Sequence, residues 1–236
     1  MNRYFSLLLG MALVIVGISQ TCYAAPITFS DNFNDGNTNG WIFTSGDDRE
    51  TNPSAHWSVV DGRLQGNSPY DAQFALVNNL SLSSQTLQVQ TEITHGTGVA
   101  LWYKGLNNYV SFGSYGSGAA IYVGEWFNGV LFAPVYEHIG PPSVSNIYDW
   151  KVITNSSTGE IQFFVNGLYE FTYTAATTER YGLSGVVSGN DGGYFDNFTV
   201  TSDTCPPAPV PEPSTMLLLG SGLVGLIGYG RKKLIS

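Results

Sequence analysis

The sequence predicts an all-β sandwich, and three observations carry that prediction. From Ile27 to Thr201, short runs of β-forming residues are punctuated by Gly, Asn, Asp or Pro. Aromatic residues make up 14 % of the chain and charged residues only 11 %, and 28 of the 236 residues are glycine. That balance suits pleated, half-buried strands joined by tight turns. Between the two ends no stretch repeats its apolar residues at the helical period behind a capping residue, so no helix is expected there. Regular short strands with turn signals about every eight to twelve residues read as a β-sandwich.

In chain order, the first element is a leader. Arg3 gives a positive start, Leu7 to Ile18 an apolar stretch, and Cys22-Tyr23-Ala24 a small-x-small cleavage site. Residues 1–24 therefore read as a secretory signal peptide. The β domain is expected over 25–201. Its strands are TLQVQTEI (86–93), VALWY (99–103), NYVSFGS (108–114), AAIYVGEWF (119–127), VLFAPVY (130–136), WKVIT (150–154), IQFFVNG (161–167), LYEFTYT (168–174) and YFDNFTV (194–200). Alternation is explicit in the first of these, with Leu87, Val89 and Ile93 on one face and Gln88, Gln90 and Glu92 on the other. Asn166-Gly167 is a hairpin signal, because a two-residue type I′ turn needs positive φ at both positions. Residues 202–210 are a Pro-rich polar linker. Residues 211–236 open with Pro211-Glu212-Pro213, continue as an uncharged, glycine-rich apolar run over 214–230, and end in Arg231-Lys232-Lys233. An apolar run closed by positive charges is a membrane stop signal, with the charges on the cytoplasmic side. As a helix the run spans ~25 Å, just short of a ~30 Å hydrocarbon core.

Charge and cysteine content narrow the function. Between the leader and Val210, five bases face seventeen acids, a formal charge of −12. Nucleic acids and anionic lipids demand the opposite sign. Cys205 is the single cysteine outside the leader, so no intrachain disulfide is expected despite the exported destination. His56, His95 and His138 lack zinc-ligand spacing. GSYGSG at 113–118 is followed by no helix, which excludes a phosphate loop. Glycoside hydrolysis needs two carboxylates across a cleft. Glu92 and Glu125 lie on strands, but no spacing pairs them, and Asp47-Asp48-Arg49-Glu50 falls in a loop.

Two groups remain as candidate sites. If Val99 and Leu101, Val110 and Phe112, and Ile121 and Val123 face the core, then Trp102, Tyr109, Tyr122 and Trp126 share the opposite face. Aromatic rings stack on the apolar C–H faces of sugars. A register slipped by one residue would instead put these rings in the core. Asp31, Asn34, Asp35 and Asn37 crowd one turn, and Asp196 opens the last strand. They read either as calcium ligands or as plain Asx-turns.

Two resemblances add to this reading. The motifs FSDNFNDG (29–36), Trp41, WSVVDGRL (57–64), GVALWY (98–103), Asn107-Asn108-Tyr109, Asn166-Gly167 and YFDNFTV (194–200) together resemble the concanavalin A-like, laminin G-like jelly-roll domains. That resemblance implies first and last strands side by side, with a structural Ca2+ held there; Asp31, Asp35 and Asp196 are the positions that match. It also implies a choice among lectins, carbohydrate-binding modules, glucanases and adhesion modules. The glucanase motif Glu-x-Asp-x-x-Glu is absent. The tail resembles the PEP-CTERM sorting signal, with Pro211, Glu212 and Pro213 as its polar head. It implies processing by an exosortase-type enzyme and a membrane contact through the C-terminal helix that processing would make transient. The expected route is export, tethering to the inner membrane, then the cell surface or extracellular matrix. The expected function is non-catalytic binding of extracellular polysaccharide or a matrix component. A glycan hydrolase or lyase with a non-standard carboxylate site, and a structural adhesion protein, are the alternatives.

Overall fold

In a computed structural model, residues 26–46, 51–67, 72–92, 97–115, 120–137, 147–189 and 192–202 are described, and they form a unit bounded by Pro26 and Thr204. The expected signal peptide (1–24) and the sorting tail (211–236) lie outside the described residues, as do Ile93, His95, His138 and Cys205. Among the described residues, no helix is long and apolar enough to cross a membrane.

Among the described residues fifteen strands follow one another: β1 (Thr28–Asp31), β2 (Trp41–Ser45), β3 (Trp57–Val60), β4 (Arg63–Gly66), β5 (Gln73–Val77), β6 (Gln85–Glu92), β7 (Gly98–Gly105), β8 (Asn108–Tyr115), β9 (Ala120–Phe127), β10 (Val130–Glu137), β11 (Ile147–Asn155), β12 (Glu160–Val165), β13 (Leu168–Thr174), β14 (Leu183–Ser188) and β15 (Gly193–Ser202). One 3-10 turn, Pro53–His56, precedes β3. The strands form two antiparallel sheets. Sheet I runs β13-β12-β11-β6-β15-β4-β3, with β1 also paired to β15, and sheet II runs β10-β9-β8-β7-β14-β5-β2. First and last strands are neighbours, Thr28 opposite Thr201 and Asp31 opposite Phe198.

Turn chemistry sets the hairpins. Asn166 and Gly167 both have positive φ, 50° and 79°, as the type I′ turn between β12 and β13 requires. The same dipeptide logic closes β3–β4 at Asp61-Gly62 (φ 51° and 72°) and β9–β10 at Asn128-Gly129 (φ 53° and 76°). The alternation of β6 is borne out: Leu87 and Val89 are buried while Gln88 is exposed.

The core lies between the sheets. Leu87, Val89, Trp150, Val152, Phe163, Phe198 and Val200 of sheet I meet Val77, Val99, Leu101, Val110, Phe112 and Val123 of sheet II. Phe112 stacks on Phe163 across the gap, centroids 5.6 Å apart and planes within 6°. Near the chain start, Trp41 of sheet II sits in an aromatic knot with Phe29, Phe33 and Phe198. Its indole N–H donates to Asp31 Oδ2 at 2.8 Å. Asp31 thus bonds one sheet to the other.

Trp102 departs from its expected position. It does not share the outer face of sheet II; it is 1 % exposed, packs in the core, and donates its indole N–H to the Ser83 carbonyl at 2.7 Å. The cause is a bulge. Between Leu101↔Val110 and Gly105↔Asn108, β7 spends three residues where β8 spends one. Trp102 takes φ 51°, so Leu101 and Trp102 both point inward and Tyr103 is turned outward in its place.

Candidate functional site

The outer face of sheet II carries an aromatic row. β5 contributes Phe74 and Leu76, β7 contributes Ala100 and Tyr103, and β14 contributes Val187, forming an apolar cluster separate from the main core with Tyr109 and Leu183 against it. Phe74 packs on Tyr103 and on Tyr109, each at 5.1 Å between centroids. Tyr103 and Tyr109 lie 5.8 Å apart. Tyr109 stands opposite Trp126 in the β8–β9 ladder, and their rings stack at 6.4 Å with planes 28° apart. Leu131, opposite Trp126 on β10, extends the row to the sheet edge and is 45 % exposed. A stripe of contacting rings therefore crosses the strands from β5 to β9, with Leu131 on β10 at its end.

Tyr109 and Trp126 are half-buried and belong to this stripe as expected from alternation. Tyr122 shares the face but plays a different part. Its ring lies over Gly113, its cross-strand partner, filling space that a Cβ there would occupy. Phe74 and Tyr103 join the row although the alternation did not point to them. β5 is buried along its whole length, so it shows no period, and Tyr103 reaches the face only through the bulge at Trp102.

The electrostatics of the row are those of a dry, weakly polar surface. Burial pushes the Tyr109 phenol well above the usual tyrosine range, and the nearby Tyr122 and Tyr103 phenols add to it. Burial likewise raises Tyr103, partly offset by its hydrogen bond with Thr44. Among the described residues whose side chains share this face, none is a carboxylic acid. Glu125 lies on β9 between Gly124 and Trp126, but it points the other way. It is 1 % exposed, and its carboxylate accepts from the Tyr173 hydroxyl at 2.6 Å and from the backbone N–H of Ala176 and Thr177 at 2.9 and 2.6 Å. Burial and that carboxylate push the Tyr173 phenol well above its usual range. Glu125 ties sheet II to the segment following β13. Glu92 is on the outer face of sheet I, paired with Arg63 at 3.2 Å. The two carboxylates occupy different sheets and face no common cleft.

The acidic turn is built from Asx-turns. Asp31 Oδ1, Asn32 Oδ1, Asp35 Oδ1 and Asn37 Oδ1 each accept from the backbone N–H two residues on, at 2.8, 3.2, 3.1 and 2.8 Å. Asp31 and Asp35 line a polar depression with Ser30, Asn32, Asn197, Phe198 and Thr199, whereas Asp196 lines a different one beside Arg63 and Glu92. Asp196 Oδ1 accepts from the Asn197 N–H at 2.7 Å, where a second bulge gives Asn197 φ 49°. Among the described residues no three acids, histidines or cysteines converge. Asp31 and Asp35 therefore share one depression and Asp196 lines another.

Comparison with known proteins agrees on the fold. Carbohydrate-binding module CBM66 from Bacillus subtilis is similar at TM-score 0.54 and 18 % identity, over 69 % of this chain and 96 % of that one. A Bacillus licheniformis beta-glucanase gives 0.57 and 12 %, over 75 % and 98 %. The laminarinase catalytic domain from Thermotoga maritima gives 0.53 and 14 %, over 77 % and 99 %. The domain is a concanavalin A-like jelly-roll sandwich. Binding modules and hydrolases share that fold, so it does not choose between them. A search of curated proteins by sequence finds no match. Residues 209–233 match the PEP-CTERM protein-sorting motif. That motif, which contains Pro211, Glu212 and Pro213, marks an exported protein sorted through the membrane.

Proposed function

We propose that this protein is an exported, non-catalytic module that binds an extracellular polysaccharide or matrix glycan through the outer face of sheet II. The observation that carries the proposal is the row Phe74–Tyr103–Tyr109–Trp126, each ring in contact with the next on the outer side of sheet II. Phe74 (0 % exposed) and Tyr103 (8 % exposed) are buried and back the row, and the half-buried Tyr109 and Trp126 offer its stacking faces to a flat, apolar ring surface. The carbohydrate-binding module among the structural neighbours is consistent with this use, and so is a sorting tail that delivers the domain to the cell surface or matrix after exosortase-type processing. Binding without hydrolysis is favoured because the described residues of this face carry no acid and because Glu125 is spent on three protein donors. Loss of a stacked ring costs ~1–3 kcal/mol, by analogy with base stacking on aromatics. Trp126→Ala is therefore expected to weaken binding to a panel of neutral polysaccharides about tenfold or more in affinity electrophoresis. The melting temperature should stay within a few degrees. Unchanged retardation of Trp126→Ala on every polysaccharide that retards the wild type would rule out this face as the binding surface.

A further inference from the structure

Where β7 ends, the bulge that buries Trp102 has a second result. Tyr103 is turned to the outer face and Lys104 is carried toward the segment between β13 and β14. That segment approaches closely because Gly182, at φ 156°, has no side chain; a Cβ there would lie 2.6 Å from the Trp102 carbonyl carbon and 2.7 Å from the Tyr103 carbonyl oxygen. Residue 181 thereby meets residue 104. The Lys104 ammonium sits 3.3 Å from the centroid of the Tyr181 ring and 2.7 Å from Glu179 Oε2. Tyr181 is 55 % exposed, and no other ring or cation among the described residues packs on it. It stands at the rim of a pocket of about 380 Å³ lined by Ser81, Tyr103, Lys104, Gly182 and Leu183. Tyr103 and Leu183 also belong to the aromatic face, so pocket and stripe are continuous.

We infer that this pocket is the terminal subsite of the glycan-binding face and takes a neutral sugar ring on the free face of Tyr181, an inference that rests on the binding function proposed above. A tyrosine pinned on one side by a cation is a rigid stacking platform, and Lys104 pins Tyr181 from the side away from the incoming ring. An anionic sugar needs an uncompensated cation, and the described lining of the pocket offers none: its one cation, Lys104, is paired with Glu179. Arg180, beside Tyr181 in sequence, is not in that lining and points its guanidinium to the carbonyls of Thr177, Ser156 and Ser157.

The test measures full-length wild type, Tyr181→Ala, Tyr181→Phe and Trp126→Ala against a neutral β-glucan, a neutral fructan and an acidic polyuronate. Tyr181→Ala is expected to lose tenfold or more in affinity for a neutral polymer at unchanged melting temperature. Tyr181→Phe should regain most of that loss, since the stacking face is restored. Loss in Trp126→Ala with none in Tyr181→Ala overturns the subsite and leaves the binding face standing. Tighter binding of the polyuronate than of either neutral polymer overturns the neutral assignment. No binding of any polymer by the wild type overturns the subsite together with the function on which it rests.

Discussion

The two outer faces of this sandwich differ more than the sandwich requires. The outer face of sheet I carries Gln88, Gln90, Thr199 and Thr201, with Arg63 paired to Glu92 and stacked 4.5 Å over Tyr194; toward β13 it also exposes Ile147 and Tyr169, the latter against Phe164. Around β6 and β15 it follows what alternation demands of a half-solvated antiparallel sheet, apolar inside and polar outside. The outer face of sheet II instead carries Phe74, Leu76, Tyr103, Tyr109, Tyr122 and Trp126. Phe74, Leu76 and Tyr103 are buried there in a second apolar cluster, which folding explains; the half-buried Tyr109 and Trp126 at its edge are what folding alone does not require.

That contrast fails first if Trp102 belongs to the outer face, so the largest expected effect is there. Trp102→Ala removes a fully buried indole and one of two donors to the Ser83 carbonyl, leaving the Thr154 hydroxyl on it. It is expected to cost about 3–5 kcal/mol and to lower the melting temperature by roughly 10 °C. A near-normal thermal melt for Trp102→Ala would return the ring to the surface.

Glu125 is the next test, because it separates a structural carboxylate from a catalytic one. Glu125→Gln puts an amide where three donors converge, with an expected loss of about 2–3 kcal/mol in urea unfolding. Wild-type stability in this variant, or polysaccharide hydrolysis that vanishes with it, would contradict a purely structural role for Glu125.

Alkaline pH probes the same interior more gently. Tyr103, Tyr109 and Tyr173 all have phenols raised by burial above the ordinary value of 10.0. The folded state thus holds their protons more tightly than the unfolded chain. Their contribution is complete below the unfolded value and is lost as pH rises past it. Stability should decline from pH ~10 upward, and Tyr109→Phe should lessen the decline. Ultraviolet titration showing all fourteen tyrosines ionising together near 10 in the folded protein would speak against the buried row.

The smallest effect is expected on the polar face. Gln88→Ala, exposed on β6, should shift stability by no more than ~0.5 kcal/mol and leave glycan affinity unchanged.

Legibility from sequence depended on what the chain had to do locally. The Asn166-Gly167 turn and the alternation of β6 are decided by a few neighbouring residues, and the sequence states both. β5 reads as one apolar run because both of its faces are covered, which erases the period that would announce a strand. The bulge at Trp102 has no signature, since Val99 to Tyr103 is apolar throughout and any slip of register looks the same. Glu125 shares parity with Ile121 and Val123, so alternation turns it inward. The donors that make this tolerable lie about fifty residues downstream and meet it only in the folded chain. Lys104 and Tyr181 are brought together in the same way, by a bulge and a glycine. The crowded turn at Asp31 to Asn37 admits both calcium and Asx-turns from sequence, and the Asx-turns are present in the structure.

Tryptophan fluorescence can decide whether the aromatic face is the surface that meets the glycan. Of the five tryptophans, Trp41, Trp57, Trp102 and Trp150 are 6 %, 7 %, 1 % and 1 % exposed, whereas Trp126 is half-buried on the aromatic face and the most accessible of them. Acrylamide should therefore quench essentially one indole, and Trp126→Phe should abolish that quenchable fraction. Saturating a polysaccharide that the wild type binds is expected to protect it and shift its emission to the blue. A polysaccharide that binds while Trp126 remains fully quenchable would place the ligand elsewhere and contradict binding through sheet II.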